Sequence, residues 1–300
     1  MDSVLKTKDI VKKYGDRTVL NKINMNINKG DIYGFIGKNG AGKTTFMRVI
    51  LSLTARNDGE VEFFDKKNIE EVGLKVGSLI EAPGLYKNAS AYENLKRFSI
   101  LYGADESKIN EILKMVGLSN TGKRKAKDFS LGMRQRLGIA IALLGDPEFL
   151  ILDEPINGLD PEGIKEIRDV IVKLNKEKNI TFLISSHLLD ELSKVVTRYG
   201  IINNGVLIEE IDANDLKEKC KNKLIIECDN PNKAKKIISK NINAEDITIK
   251  NNSLEIHSHI KESGNINKTL IENGITVDAI YPNFDSLEEY FMKRIGDNNE

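Results

Sequence analysis

The segment Gly37-Lys38-Asn39-Gly40-Ala41-Gly42-Lys43-Thr44 constrains this chain more than any other stretch. It fits the spacing Gly-x-x-x-x-Gly-Lys-Ser/Thr of a phosphate-cradling loop. Glycines let successive backbone N–H groups turn inward around phosphate oxygens with no Cβ in the way. A helix beginning at the end of the loop aims its positive pole at the same anion. Lys43 adds a point charge on the outer phosphates, and Thr44 offers a hydroxyl to Mg2+. The flanking sequence suits this arrangement. Residues 31–36 form a short apolar run expected to be a strand, and Phe46, Val49, Ile50 and Leu53 recur at helical spacing over residues 43–53.

A second chemical segment lies about a hundred residues on. Phe149-Leu150-Ile151-Leu152 is a compact apolar run, read as a buried strand, and two carboxylates, Asp153 and Glu154, follow it. Carboxyl ends of strands are where open α/β sheets bind ligands. Asp153 is placed to hold Mg2+, directly or through water, and Glu154 to polarise the water that attacks a γ-phosphate. Paired carboxylates alone would be a solvated strand end; beside a phosphate loop they form the other half of a site.

Strands alternate with helices along most of the chain. Strands are expected at 4–11 and 19–27 around the turn Tyr14-Gly15-Asp16, then at 59–64, 75–80, 149–152 and 180–184. Residues 91–144 read as helical with breaks at Gly103, Gly117 and Gly122, Pro161 opens a helix to about residue 178, and another helix starts near residue 188. Residues 200–211 read as a hairpin turning at Asn203-Asn204-Gly205. This order implies an α/β fold: a largely parallel sheet with helices on its faces. Past about residue 215 Lys, Asn and Ile dominate and the glycine motifs stop. Strands at 223–228, 246–250, 253–259 and 275–281, with helices at 232–240, 261–272 and 286–294, give the order βαββαβ plus a helix, the order of a ferredoxin-like α+β domain.

Several more segments together resemble the ATP-binding domain of ABC transporters over residues 1 to about 215. Phe129-Ser130-Leu131-Gly132-Met133-Arg134-Gln135-Arg136 resembles the family signature, Asn157-Gly158-Leu159-Asp160 the D-loop, and Ser185-Ser186-His187 the switch histidine. Tyr14 stands where an aromatic stacks on adenine. The resemblance implies a phosphate-loop core sheet, an antiparallel β subdomain and a helical subdomain at about 84–145, followed by the accessory domain at 216–300. It implies ATP and Mg2+ as ligands, with Tyr14, residues 37–44 and Thr45 on the nucleotide, and Glu154, His187 and Lys43 catalytic. Thr44, Asp153 and Glu81 would hold the metal. It also implies two such subunits packed head to tail, each ATP shared between one phosphate loop and the partner's Ser130 and Gly132, with Asp160 at the interface.

The chain departs from the usual family spelling at Leu131 and Met133 in the signature. In Ser78-Leu79-Ile80-Glu81-Ala82-Pro83, Glu81 replaces a glutamine that normally serves the metal and the membrane part. Glu81 keeps an oxygen ligand but adds negative charge beside the metal. These spellings and the C-terminal appendage look like the bacitracin-resistance and lantibiotic-immunity exporters. The implied partner is a separate integral membrane permease that handles the peptide, with this chain peripheral on the inner face of the cell membrane. The rival reading is a soluble ATPase of the same class acting in translation or DNA maintenance. Such chains usually carry two ATPase modules or a long coiled coil, and this one has one phosphate loop and no sustained heptads.

The bulk properties agree. Forty-five basic residues balance forty-five acidic ones, so no global attraction to nucleic acid is expected. No apolar run reaches bilayer-spanning length, and the first ten residues lack the apolar core of a signal peptide. Cys220 and Cys228 fit no zinc pattern, and His257 and His259, two apart, lack an evident third ligand. The basic run at 123–127 reads as a solvated loop.

Overall fold

Alternate burial of side chains makes the first segments strands, and continuous burial makes the central ones core strands. The structure, a computed structural model, describes residues 2–67, 69–220, 222–242, 247–250, 253–256, 262–284 and 287–296. In chain order the first elements are β1 (Ser3–Tyr14), β2 (Arg17–Asn28), β3 (Ile32–Ile36), α1 (Lys43–Ile50), β4 (Asp58–Phe63), α2 (Ile69–Val72), β5 (Val76–Leu79), α3 (Ala91–Tyr102), α4 (Ile109–Met115) and α5 (Leu131–Ala142). There follow β6 (Phe149–Leu152), α6 (Pro161–Lys178), β7 (Thr181–Ser186), α7 (Leu189–Leu192), β8 (Arg198–Asn203), β9 (Val206–Asp212) and α8 (Ala213–Lys219). The last are β10 (Asn222–Cys228), α9 (Pro231–Ile242), β11 (Ile247–Lys250), β12 (Ser253–Ile256), α10 (Ser263–Glu272), β13 (Val277–Phe284) and α11 (Leu287–Gly296). The chain divides into two compact units, residues 1–213 and 214–300.

The first unit holds two sheets. A six-stranded sheet has the order β5-β6-β7-β3-β8-β9. Its first five strands run parallel, and β9 returns antiparallel to β8 through the turn Asn204-Gly205. A three-stranded antiparallel sheet has the order β2-β1-β4. One apolar core joins β1, β2, β4, α1, β3 and β6, with Phe35 and Phe46 rings 5.2 Å apart. Truncating such a buried aromatic costs about 3–5 kcal/mol, so Phe46 anchors the helix that follows the phosphate loop.

Sequence reading and structure differ at identifiable places. The helix expected to reach residue 53 stops at Ile50; Ser52 takes a positive φ of 58°, and Leu53 is 64% exposed rather than part of the apolar face. The helix expected after residue 188 is a single turn, α7. Gly103 and Gly117 sit at helix ends with positive φ, as expected, but the gap before α5 is longer than Gly122 alone suggested, because short 3-10 turns fill residues 119–128. Helix α8 was not anticipated.

In the second unit all four strands pair antiparallel in the order β11-β12-β10-β13. Leu224, Ile226, Leu254 and Ile256 meet Ala234, Ile238, Ile266 and Leu270 from α9 and α10 in its core. His257, His259, the Asn251-Asn252 turn and the last four residues lie outside the described residues.

Candidate functional site

The cleft is built where β3, β6 and β7 end side by side. Strand β3 runs into the glycine loop, which turns into α1 with Gly42 at its cap, φ 111°. No side chain caps this helix, so its first N–H groups remain available to an anion. Gly37 has a different reason to be glycine: a Cβ there would lie 2.6 Å from the Ile202 carbonyl oxygen of β8. Asn39, Gly40, Gly42, Lys43, Thr44, Thr45, Glu154 and Asn157 line an opening of about 200 Å3 with Val19.

Lys43 is buried and folds back over the loop. Its Nζ donates to the Gly37 carbonyl at 2.7 Å and lies 3.3 Å from Glu154 Oε1. Thr44 Oγ1 donates to Asp153 Oδ2 at 2.7 Å. Ser185, near the end of β7, ties the two carboxylate residues together: its hydroxyl donates to Asp153 Oδ1 at 2.5 Å and accepts from the Glu154 N–H at 2.8 Å. Glu154 has φ 47°, a conformation that costs a non-glycine residue about 1–2 kcal/mol. His187 Nδ1 donates to Glu154 Oε2 at 2.8 Å. Glu154 is thus held between a lysine and a histidine, with its backbone fixed by a serine.

Thr44 and Asp153 offer a hydroxyl and a carboxylate, the oxygen donors that Mg2+ takes. Among the described residues no group of three or more His, Cys, Asp or Glu side chains could hold a metal. A pair of protein ligands suits Mg2+, which keeps waters and substrate phosphates in its other positions. Glu81 follows β5, the neighbour of β6, also has positive φ, 62°, and pairs with Arg48 Nη2 at 2.5 Å. Tyr14 ends β1 with its ring half-exposed; Lys12 Nζ sits 4.6 Å from the ring centroid and donates to the Ala55 carbonyl at 2.7 Å.

Ser130, Gly132 and Asp160 are gathered elsewhere, around a depression of about 490 Å3 that also includes Arg136 and Glu166. Ser130 caps α5 through the Met133 N–H, and Asp160 caps α6 through the Gly163 N–H. Leu131 lies beside Gly158.

Sequence reasoning gave no role of their own to Ser185, Arg48 and Lys12. Ser185 was legible as a polar residue inside a buried strand, and Arg48 as the residue four after Thr44 on one helix face. Lys12 was legible as the residue two before Tyr14, on the same face of a strand.

A parallel core sheet, a glycine loop opening a helix, and a lysine-contacted carboxylate at the end of another strand of the same sheet define a phosphate-loop nucleoside triphosphatase. A profile of the ABC transporter family matches residues 20–157. The chain is 44% identical to the bacitracin transport ATP-binding protein BcrA of Bacillus licheniformis, over 99% of this chain and 98% of that one. It is 45% identical to the lantibiotic transport ATP-binding protein SrtF of Streptococcus pyogenes, over 75% of this chain and 99% of that one. A solved dimeric ATP-binding cassette in a post-hydrolysis state with ADP and Pi superposes with a TM-score of 0.61 at 25% identity, covering 70% of this chain and 98% of that one. The chain belongs to the ABC transporter family, as an ATP-binding protein that hydrolyses ATP. No helix among the described residues is long and apolar enough to cross a membrane.

Proposed function

We propose that this chain energises the export of a peptide antibiotic of the bacitracin or lantibiotic kind through a separate membrane permease, sitting peripherally on the inner face of the cell membrane. Similarity to BcrA across nearly the whole of both chains carries this reading. The rival, a soluble ATPase of translation or DNA maintenance, finds no support among these relatives.

The residue roles follow from chemistry. Residues 37–44 and Thr45 bind the phosphates through backbone N–H groups, the Lys43 charge and the α1 terminus. Tyr14 stacks on adenine. Thr44, Asp153 and Glu81 hold Mg2+, which neutralises phosphate charge when bound. Glu154 orients and polarises the attacking water, and His187 holds the Glu154 carboxylate in place. Two copies pair isologously, so that Ser130 and Gly132 of each complete the other's nucleotide site beside Asp160. The dimeric cassette structure supports this pairing. The second unit is a ferredoxin-like accessory domain, supported by its strand order and antiparallel pairing.

Glu154→Gln in the assembled complex tests the mechanism. It removes the acceptor charge at nearly constant shape, so turnover falls by about 100-fold or more while nucleotide binding is kept. Wild-type turnover in that variant would take Glu154 out of the mechanism. Co-purification with a permease, and loss of bacitracin or lantibiotic tolerance on deletion, test the physiological role; stable association with ribosomes or DNA and no permease would overturn it.

A further inference from the structure

Helix α1 carries two side chains toward the carboxylates beside it. Thr44 and Arg48 are four residues apart and share one face. Thr44 binds Asp153, which follows β6, and Arg48 binds Glu81, which follows β5. The two strands are paired, Leu79 opposite Leu152, and the Asp153 N–H donates to the Leu79 carbonyl at 2.9 Å. One helix face therefore holds two acidic groups arriving from adjacent strands, with the threonine on one and the arginine on the other.

The Arg48–Glu81 pair contributes little to folding. The two side chains are 39% and 59% exposed, and exposed ion pairs are worth at most about 1 kcal/mol. Its effect lies in charge and position. A second carboxylate near Asp153 makes the site more negative and attracts a divalent cation more strongly. The Arg48 guanidinium cancels that charge and holds the carboxylate beside α1 through Nη2.

We propose that Arg48 is a positioning residue that neutralises Glu81 and thereby sets how tightly the nucleotide site holds its divalent cation. This rests on the reading of Thr44, Asp153 and Glu81 as the metal side of the site. Glu81 is free to serve the metal only to the extent that Arg48 releases it, so the two residues act as one unit.

The test uses the full chain with ADP and Mn2+ as the metal probe, its affinity measured by electron paramagnetic resonance, so that turnover is not the readout. Arg48→Gln leaves the Glu81 charge uncompensated and tightens Mn2+ by about three- to tenfold, the order of effect of one unit charge near a divalent cation in a water-like dielectric. Glu81→Gln leaves the arginine uncompensated and weakens Mn2+ by a similar factor. The double variant returns to within about twofold of wild type, and the differences shrink in high salt. Thermal melting stays close to wild type in all three, because both side chains are exposed. Weakening in Glu81→Gln with unchanged or weakened binding in Arg48→Gln would overturn the proposal and leave Glu81 on the metal side. No change in Glu81→Gln would remove the Glu81 reading and the proposal with it.

Discussion

Ser185→Ala is the sharpest single perturbation of the site. The hydroxyl is fully buried and makes two bonds, at 2.5 Å to Asp153 Oδ1 and 2.8 Å from the Glu154 N–H. Alanine leaves the N–H without its acceptor, at about 1–3 kcal/mol, and removes a bond to a charged group worth about 1.5–3 kcal/mol. Asp153 keeps the Thr44 donor, which reduces the second loss. A net cost of about 3 kcal/mol follows, and for a unit of about 200 residues it lowers the melting temperature by about 6–12 °C. Function suffers separately. Glu154 adopts its left-handed conformation with its N–H held by this serine, and its carboxylate meets His187 and Lys43 from there. Loosening that anchor lowers turnover by about tenfold or more, through misplacement of the water-orienting carboxylate. Ser185→Cys, which is slightly larger and keeps only a weak donor, falls between the two. The assays are a thermal melt and steady-state ATP turnover. A Ser185→Ala protein that melts within about 1 °C of wild type and hydrolyses ATP at the same rate would refute the assignment of this serine as the brace of the site.

Two further outcomes test other parts of the first unit. Gly37→Ala drives a Cβ against the Ile202 backbone and lowers ADP affinity by about tenfold or more; wild-type ADP affinity by calorimetry would refute the packing account. Tyr33 is held protonated well above the ordinary tyrosine range, first by burial and then by the Glu210 carboxylate that accepts its hydrogen bond at 2.8 Å. The folded state keeps a proton that the unfolded state loses, so stability falls as pH rises past about 10; urea unfolding at stepped pH should show a smaller decline in Tyr33→Phe, and identical slopes would contradict this.

Local chemistry decided how much was readable beforehand. The phosphate loop, the Asp153-Glu154 strand end, Pro161 at the start of α6 and the Asn204-Gly205 turn each depend on residues adjacent in the chain, and each was legible. The ends of α1 at Ile50 and of α7 at Leu192 were not; past Ile50 the chain turns through Ser52, whose φ is 58°, although Leu53 continues the apolar period.

The sequence alone establishes that a nucleotide phosphate is bound, which carboxylates accompany it, and the order of the strands and the longer helices. These follow from backbone stereochemistry and from side-chain types at short spacing. Only the tertiary structure decided which residues meet. It set β6 between β5 and β7, so that Ser185 reaches Asp153 and Glu154 from a strand thirty residues away, and it brought Arg48 of α1 onto Glu81. Strand order and helix placement come from burying a shared core, and no local pattern encodes which strand becomes whose neighbour.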